Sequence, residues 1–518
     1  MIERILTVGG LTFVSRIAGF VRDIFLAYFL GAGPVADAFF VALRLPNHFR
    51  PIFAEGAFNA AFVPIYTGTR AQQGAQAVRP FADQIFTLLL AVQLVLLAVA
   101  LVFMPQVVGL LAPGFRDDPQ RMALAVELTR ITFPYLLLIT LVTLYSGILN
   151  SLNRFASAAA APILLNLSLI VALALAAFFP TAGHAAAWGV LIAGCLEVLL
   201  VAGDVTRQGA LPRFQLPRLG REMKLFFRRF VPALLGSAET QIALLADTII
   251  ASFLAVGALS AIYYADRLNQ LPVGVIGIAA GTVLLPEMAR RIAAGDERGA
   301  RHAQNRAIEL TLLLSVPCLV AFLLVPELIM RALFARGAFT AADAQAAGAT
   351  LAAYAIGLLP FVLIRSFATT FLARGDTWTP VVALFFAVLV NVALKIVLMN
   401  DYAQVGLAFA TAIGAWINVA LLAWFALRQD LVGFDDQLKR SLVKLAGAGL
   451  ALAAVLWLAR GPVLDWFDTS RLRDIAALAT LAVIGALVYG GLIAALFGRQ
   501  LMSALRRSPG STVASPDQ

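Results

Sequence analysis

Long apolar runs, separated by short polar segments, occupy the chain from its N-terminus nearly to its end. A helix needs about 20 predominantly apolar residues to cross the hydrocarbon core of a membrane. The pattern predicts an all-α polytopic membrane protein with fourteen transmembrane helices. The runs lie near residues 5–30, 36–66, 81–111, 123–149, 156–179, 185–206, 226–255, 258–289, 303–332, 344–373, 378–399, 404–427, 441–459 and 474–498.

The second and eighth runs are the longest, and both contain prolines. Proline removes a helical hydrogen bond and tends to kink or break a helix. We therefore expect the prolines to break both runs, and the second run to be kinked or broken at Pro46, between Arg44 and Arg50. Broken helices beside buried charge are typical of transporter sites.

Composition supports a membrane protein, because only 13% of the residues are charged and the mean hydropathy is +0.89. Lysine and arginine are concentrated in the loops on one predicted side, most densely in residues 207–229 and 290–301. Cytoplasmic loops carry such an excess, so both termini are expected to be cytoplasmic. The same loops explain the net charge of +10, and we expect no nucleic-acid partner.

The residues that would support catalysis or metal binding are scarce. The chain has two cysteines and three histidines, and their spacing fits neither a metal site nor a disulfide framework. No nucleophile–base arrangement or phosphate-cradling loop is evident. We expect no metal, no cofactor and no enzymatic activity.

The chain also contains an internal repeat of about six helices. Asp23 and Gly33 recur as Asp247 and Gly257, each 224 positions later. Six is an even number of spans, so the two copies are predicted to be parallel repeats with the site between them. The prediction is an N-lobe over 1–213, a C-lobe over 214–430, two extra helices over 431–500 and a disordered tail over 501–518.

Four arginines lie inside apolar runs, at Arg16, Arg22, Arg50 and Arg267. An arginine at bilayer depth costs at least about 2.5 to 3.5 kcal/mol on insertion scales. Embedded acids are too few to pair with all of them, so the set predicts a polar cavity for an anionic ligand. One guanidinium group can donate hydrogen bonds to two phosphate oxygens at once, so the favoured ligand is a phosphate or a pyrophosphate.

Further polar residues in the same runs are candidates to support this cavity. Asp23 lies seven residues from Arg16 on the same helix face and could hold that arginine in place. The alternative for any one of these groups is a structural pair or a helix-end position. The supporting candidates are Ser15, Asp23, Asp37, Arg44, Asn47, Glu55, Asp266 and Gln270.

Asp247 and Lys395 each lie in the middle of an apolar run in the second repeat. A charge at that depth needs a partner, so we expect the two to form a buried ion pair in which the ammonium acts as a built-in cation. The alternative is a proton- or sodium-coupling site at Asp247. Asn391 and Thr411 could supply further oxygens to it.

The segments SRIAGFVRD, DAFFVALRLPNHFRPIFAEGAF and YYADRLNQLPVGVIGIA resemble the MurJ (MviN) lipid II flippases of the multidrug/oligosaccharidyl-lipid/polysaccharide exporter superfamily. The resemblance implies two pseudo-symmetric six-helix lobes arranged in a V, with two C-terminal helices that border a lipid-facing groove. The essential cavity arginines of the family correspond to the four arginines named above. Gln270 departs from the pattern, since many members have glutamate there.

The resemblance further implies that lipid II, an undecaprenyl-pyrophosphate-linked disaccharide-pentapeptide, moves from the inner to the outer leaflet by alternating access. The implied setting is peptidoglycan biosynthesis at the bacterial cytoplasmic (inner) membrane, among membrane lipids and near the cell-wall synthesis machinery. The alternatives are a flippase for another polyprenyl-pyrophosphate-linked oligosaccharide and, from another class, a membrane enzyme acting on polyprenyl phosphate. Charge alone does not separate the two flippases, whereas the enzyme would need aspartate or histidine clusters at a membrane face.

Overall fold

A computed structural model describes residues 2–53, 56–218, 220–468 and 472–506. These residues form helices joined by turns, and they contain no strand. Glu55 and residues 507–518 of the predicted tail lie outside the described residues. The helices are α1 (Ile2–Leu30), α2 (Pro34–Phe53), α3 (Gly56–Gln73), α4 (Ala75–Val102), α5 (Met104–Leu111), α6 (Pro119–Thr132), α7 (Tyr135–Ser151), α8 (Ala156–Ala174), α9 (Ala182–Arg207), α10 (Arg221–Ser252), α11 (Ala258–Pro272), α12 (Ile278–Ala293), α13 (Glu297–Leu324), α14 (Pro326–Phe334), α15 (Ala341–Ala355), α16 (Leu358–Leu372), α17 (Trp378–Arg428), α18 (Asp436–Trp466) and α19 (Arg473–Arg506).

The helices are long and apolar, as the sequence predicts. Within the described ranges, nine helical stretches are long and apolar enough to cross a membrane. The longest, α17, has 51 residues, and a straight helix of that length would measure about 77 Å. The all-helical membrane architecture is confirmed, and the count of fourteen spans stays a prediction.

Helix α17 is in fact two helices joined by a sharp bend. Ala403 has non-helical backbone angles, with φ 45° and ψ −130°. The backbone is crowded there, because a Cβ atom added to Gly406 would lie 2.6 Å from the carbonyl oxygen of Leu398. The bend therefore falls between the predicted spans 378–399 and 404–427.

Of the two outcomes predicted at Pro46, a kink or a break, the break is wrong, because α2 continues through this residue. Proline at this position leaves the carbonyl of Ala42 without its usual helical donor. The hydroxyl of Thr132 donates to that carbonyl oxygen at 2.9 Å. The helix therefore continues from Arg44 to Arg50, since a side chain of α6 replaces the missing bond.

A replacement hydrogen bond of the same kind occurs at a second proline, Pro317. Pro317 lies inside α13, and the Tyr489 hydroxyl donates to the Leu313 carbonyl oxygen at 2.7 Å. In the eighth run the predicted break is replaced by a π-helical turn, Val273–Gly277, which joins the end of α11 at Pro272 to the start of α12 without a gap in the helix. The Trp416 indole nitrogen donates to the carbonyl of Ile356, which lies in the turn before α16.

The chain divides into two compact units. Unit 1 comprises Met1–Tyr264, Phe334–Ala347 and Val392–Leu407. Within unit 1, α8 packs against α9 and α1, α2 against α6, and α3 against α10.

Unit 2 comprises Ala265–Leu333, Gly348–Asn391 and Ala408–Gln518. Within unit 2, α13 packs against α12, α16 and α18, and α18 packs against α19. The predicted lobes follow the sequence repeat instead of these packing units, and their boundaries stay a prediction.

Candidate anion-binding site

Arg22 lies in a hydrogen-bond network that joins α1, α8 and α11. Its Nε and Nη2 atoms donate to Oδ1 of Asp23 at 3.0 and 2.7 Å, and Nη1 donates to Oδ1 of Asn166 at 2.9 Å. Asn166 in turn donates to the carbonyl oxygen of Ser15 at 3.0 Å, and the Tyr263 hydroxyl donates to Asp23 at 3.2 Å. The guanidinium is therefore held in a fixed orientation.

Arg16 differs from Arg22, because it is exposed and has no hydrogen-bond or ion-pair partner within the described ranges. The expectation that Asp23 would hold Arg16 is wrong. Seven residues of helix separate the two by about 10 Å along the axis, whereas the adjacent Arg22 reaches the carboxylate directly. Arg16 is thus a cation available to a ligand.

Arg50 is half-buried near the end of α2, and its charge interacts with that of Glu197 on α9. Glu197 is 1% exposed and accepts a hydrogen bond of 3.4 Å from the Tyr135 hydroxyl. Sequence reasoning missed Glu197, since a lone acid in an apolar run does not indicate its partner. The signal that could have found it is its depth in the run, where an acid is costly.

A second polar cluster connects α2 to α10. Arg44 donates from Nη1 to the Thr248 hydroxyl at 3.1 Å, and Nε2 of His48 lies 3.4 Å from the same oxygen. His48 and Thr248 are buried. Arg44 was predicted as a supporting residue, whereas His48 and Thr248 were missed because neither carries an obligatory charge.

The structure brings Asp247 and Lys395 together in an ion pair between Oδ1 and Nζ, which joins α10 to the first half of α17. The Lys395 side chain is 3% exposed and that of Asp247 is 36% exposed. Asn391 packs against Gly414, and its amide oxygen is buried without a hydrogen-bond partner among the residues described. Thr411 is half-buried.

Asp37 is fully buried and fully bonded, so its geometry is that of a structural group. It forms an ion pair of 2.7 Å with Arg121. It also accepts hydrogen bonds from the backbone nitrogens of Gly257 and Ser260, at 2.8 and 2.9 Å, and from the Ser260 hydroxyl at 2.6 Å. Asp37 thereby holds the N-terminus of α11 against α2.

The remaining candidates belong mainly to α11. Arg267 and Asp266 are half-buried there, and Gln270 donates to the Asp266 carboxylate at 3.3 Å. Asn47 is exposed on α2. Glu55 is not among the described residues.

The arrangement suits an anion. The guanidinium of Arg22 is oriented by oxygen acceptors, and Arg16 is exposed on the same helix. Guanidinium groups bind phosphate and carboxylate oxygens through paired hydrogen bonds. Within the described ranges, no group of three or more His, Cys, Asp and Glu residues could hold a metal ion.

The sequence is similar to known flippases over most of its length. A sequence model of the family described as lipid II flippase MurJ matches residues 26–476. A probable lipid II flippase MurJ of Rhizobium meliloti (strain 1021) is 41% identical over 500 residues, which cover 96% of this chain and 92% of that protein. A lipid II flippase MurJ of Burkholderia cenocepacia is 33% identical over 501 residues, with 95% and 97% covered.

Solved structures have the same fold. One described as lipid II flippase MurJ in an inward closed conformation matches with a TM-score of 0.81 and 25% identity, covering 96% of this chain and 99% of that one. An inward-facing MATE family transporter of the MOP superfamily matches with a TM-score of 0.68 and 15% identity, covering 82% and 98%. The second likeness concerns the fold alone.

Proposed function

The chain belongs to the lipid II flippase MurJ family, and from that membership we propose that it moves lipid II from the inner to the outer leaflet of the membrane. Lipid II carries a disaccharide and a pentapeptide on undecaprenyl pyrophosphate, and its transfer supplies peptidoglycan synthesis. The protein is a transporter and not an enzyme. The observation that carries the proposal is the family match, which includes every helix from α2 to α18.

Arg16, Arg22, Arg50 and Arg267 bind the pyrophosphate of lipid II. Two of them are supported by local geometry, because Asp23 and Asn166 orient Arg22, and Arg16 is exposed without a partner in the described part of the chain. A guanidinium bonds two phosphate oxygens at once, which a lysine ammonium does not do. The bound pyrophosphate would supply the negative charge that Arg16 does not receive from any residue the structure describes.

Transport proceeds by alternating access, with the N-lobe (1–213) and the C-lobe (214–430) rocking against each other. The repeat of Asp23 and Gly33 at Asp247 and Gly257 supports this division. Parallel repeats of this kind surround a central site in other transporters.

Helices α18 and α19 border the groove that holds the lipid chain. The support is an apolar cavity of about 400 Å³ within unit 2, between α13, α18 and α19. Phe322, Leu452, Leu481 and Tyr489 are among its lining residues. An apolar lining suits a polyprenyl chain and excludes a charged headgroup.

The Asp247–Lys395 pair acts as a built-in cation site. The buried ammonium occupies the position beside the carboxylate that a sodium ion or a proton would otherwise take. On this proposal Lys395 joins α10 to α17. Its ammonium neutralises the carboxylate, so that Asp247 needs neither a bound sodium ion nor a proton. The competing assignment is ion coupling at Asp247, with Asn391 and Thr411 as further ligands.

The protein lies in the bacterial cytoplasmic membrane with both termini in the cytoplasm. The excess of lysine and arginine in loops such as 207–229 supports this orientation. Its partners are lipid II, the surrounding lipids and the cell-wall synthesis machinery that consumes lipid II.

The test is growth of a bacterium depleted of its own lipid II flippase and expressing this chain. Lipid II flipping predicts that the chain restores growth and cell shape. A flippase for another polyprenyl-pyrophosphate-linked oligosaccharide would reach the membrane, as shown by immunoblot, and leave the cells unable to grow.

A further inference from the structure

Helix α16 is an inner helix of the protein. In the most apolar window of the stretch that contains it, 61% of the residues are buried, against 22% for α4 and for α19. Among the residues from Leu358 to Phe371, Arg365 alone is exposed, and all others are buried or half-buried. An otherwise enclosed helix therefore presents one cation at its middle.

Arg365 has no hydrogen bond or ion pair from its guanidinium to any residue that the structure describes. Arg22 and Arg121, which also lie among apolar helices, are both paired with carboxylates. An unpaired charge facing hydrocarbon is unfavourable, so such residues face the protein interior or water. Because α16 is an inner helix, the exposed side of Arg365 faces water or a ligand.

The arginine is positioned by a glycine in the π-helical turn Val273–Gly277. A Cβ atom added to Gly277 would lie 3.2 Å from Cδ of Arg365 and 3.5 Å from its Nε. The end of the side chain therefore rests against the backbone of this turn, where a larger residue would displace it. Single π-helical turns in α-helices frequently occur at functional sites.

We propose that Arg365 binds a carboxylate of the pentapeptide of the transported lipid, as an anion site separate from the pyrophosphate site. Gly277 lies ten positions beyond Arg267, at the far end of the π-helical turn that follows α11. Arg267 and Arg365 therefore belong to different parts of the unit and suit two different anionic groups of one headgroup. A pentapeptide ends in a carboxylate, and guanidinium binds carboxylates with two parallel hydrogen bonds. The inference rests on the proposed function.

The test compares two lipids in vesicles that contain the full-length protein. One is labelled lipid II, and the other is the same polyprenyl-pyrophosphate disaccharide without its peptide. Arg365→Ala should slow transfer of lipid II about tenfold, as expected for loss of one charged hydrogen-bonded contact, and leave transfer of the peptide-free lipid unchanged. Arg365→Lys should retain part of the lipid II rate, since the charge remains.

Two further variants separate this role from a structural one. Gly277→Ala should move the arginine by a few tenths of an ångström and reduce lipid II transfer selectively, by less than Arg365→Ala does. Arg298→Ala removes an exposed charge from α13 of the same unit and should change neither rate.

Equal slowing of both lipids by Arg365→Ala would overturn the proposal and assign Arg365 to the pyrophosphate or to folding. Unchanged transfer of both lipids would also overturn it. If the unaltered protein moves neither lipid, the proposed function itself fails, which is a different result from either of these.

Discussion

Individual arginines on one helix have different surroundings in this protein. Arg22 is bonded to Asp23 and Asn166, whereas Arg16 is exposed and has no partner in the described ranges. The sequence predicts both as embedded cations, because charge and depth are readable from the apolar pattern. It does not predict that Asn166 orients Arg22, because that contact joins residues 144 positions apart.

Arg16→Ala should abolish lipid II transport and leave stability unchanged. No residue that the structure describes loses a bond, so the free energy of unfolding should stay within about 0.5 kcal/mol of the original. Thermal unfolding in detergent and transport in vesicles measure the two effects. Full transport activity in this variant would remove Arg16 from the site.

The ion pair of Asp247 and Lys395, in which only the lysine is buried, should respond unequally to loss of each partner. Asp247→Asn leaves an ammonium that is 3% exposed without a counter-charge, so it should destabilise the protein by roughly 3 to 5 kcal/mol. Lys395→Met should cost less, because the Asp247 carboxylate is 36% exposed. The double variant should recover most of the lost stability.

The exposed pair of Lys439 and Asp436 on α18 provides a matched control. Its side chains are 64% and 78% exposed, so Lys439→Met should change stability by less than about 1 kcal/mol. Thermal unfolding of the four variants measures these changes in stability. A double variant no more stable than Asp247→Asn would contradict the pairing.

At the scale of helices, apolar periodicity predicts where helices lie better than proline predicts where they end. The bend at Ala403 falls between two predicted spans, and α11 passes into a π-helical turn after Pro272. Pro46 does not break α2, because Thr132 supplies the donor that the proline lacks. A donor 90 positions away is not readable from the local sequence.

Thr132→Val should destabilise the protein by about 1 to 3 kcal/mol, because it leaves the buried carbonyl of Ala42 unbonded. The control is Thr140→Val, in which the lost hydroxyl bonds only a carbonyl of its own helix, that of Leu136. Both threonines are buried, so each variant exchanges a buried hydroxyl for a methyl group of similar size. Equal destabilisation in thermal unfolding would show that the replacement bond contributes nothing.

At the scale of the whole molecule, the membrane class and the family could be predicted from the sequence. Hydropathy indicates the membrane class, and three arginine-containing segments indicate the family. The polar interior could be predicted only in part. Glu197, His48 and Thr248 were missed because their roles depend on tertiary contacts across α2, α7, α9 and α10. The lobe boundaries rest on the repeat and remain a proposal.

The central claim is that this chain carries lipid II across the bilayer with arginines that bind its pyrophosphate. The most direct measurement is the transfer of labelled lipid II between leaflets of vesicles containing the purified protein, read with a reagent that modifies only the outer leaflet. We expect transfer with the unaltered chain, near-background transfer with Arg22→Ala and partial recovery with Arg22→Lys. Background transfer with the unaltered chain, or full transfer with Arg22→Ala, would contradict the account.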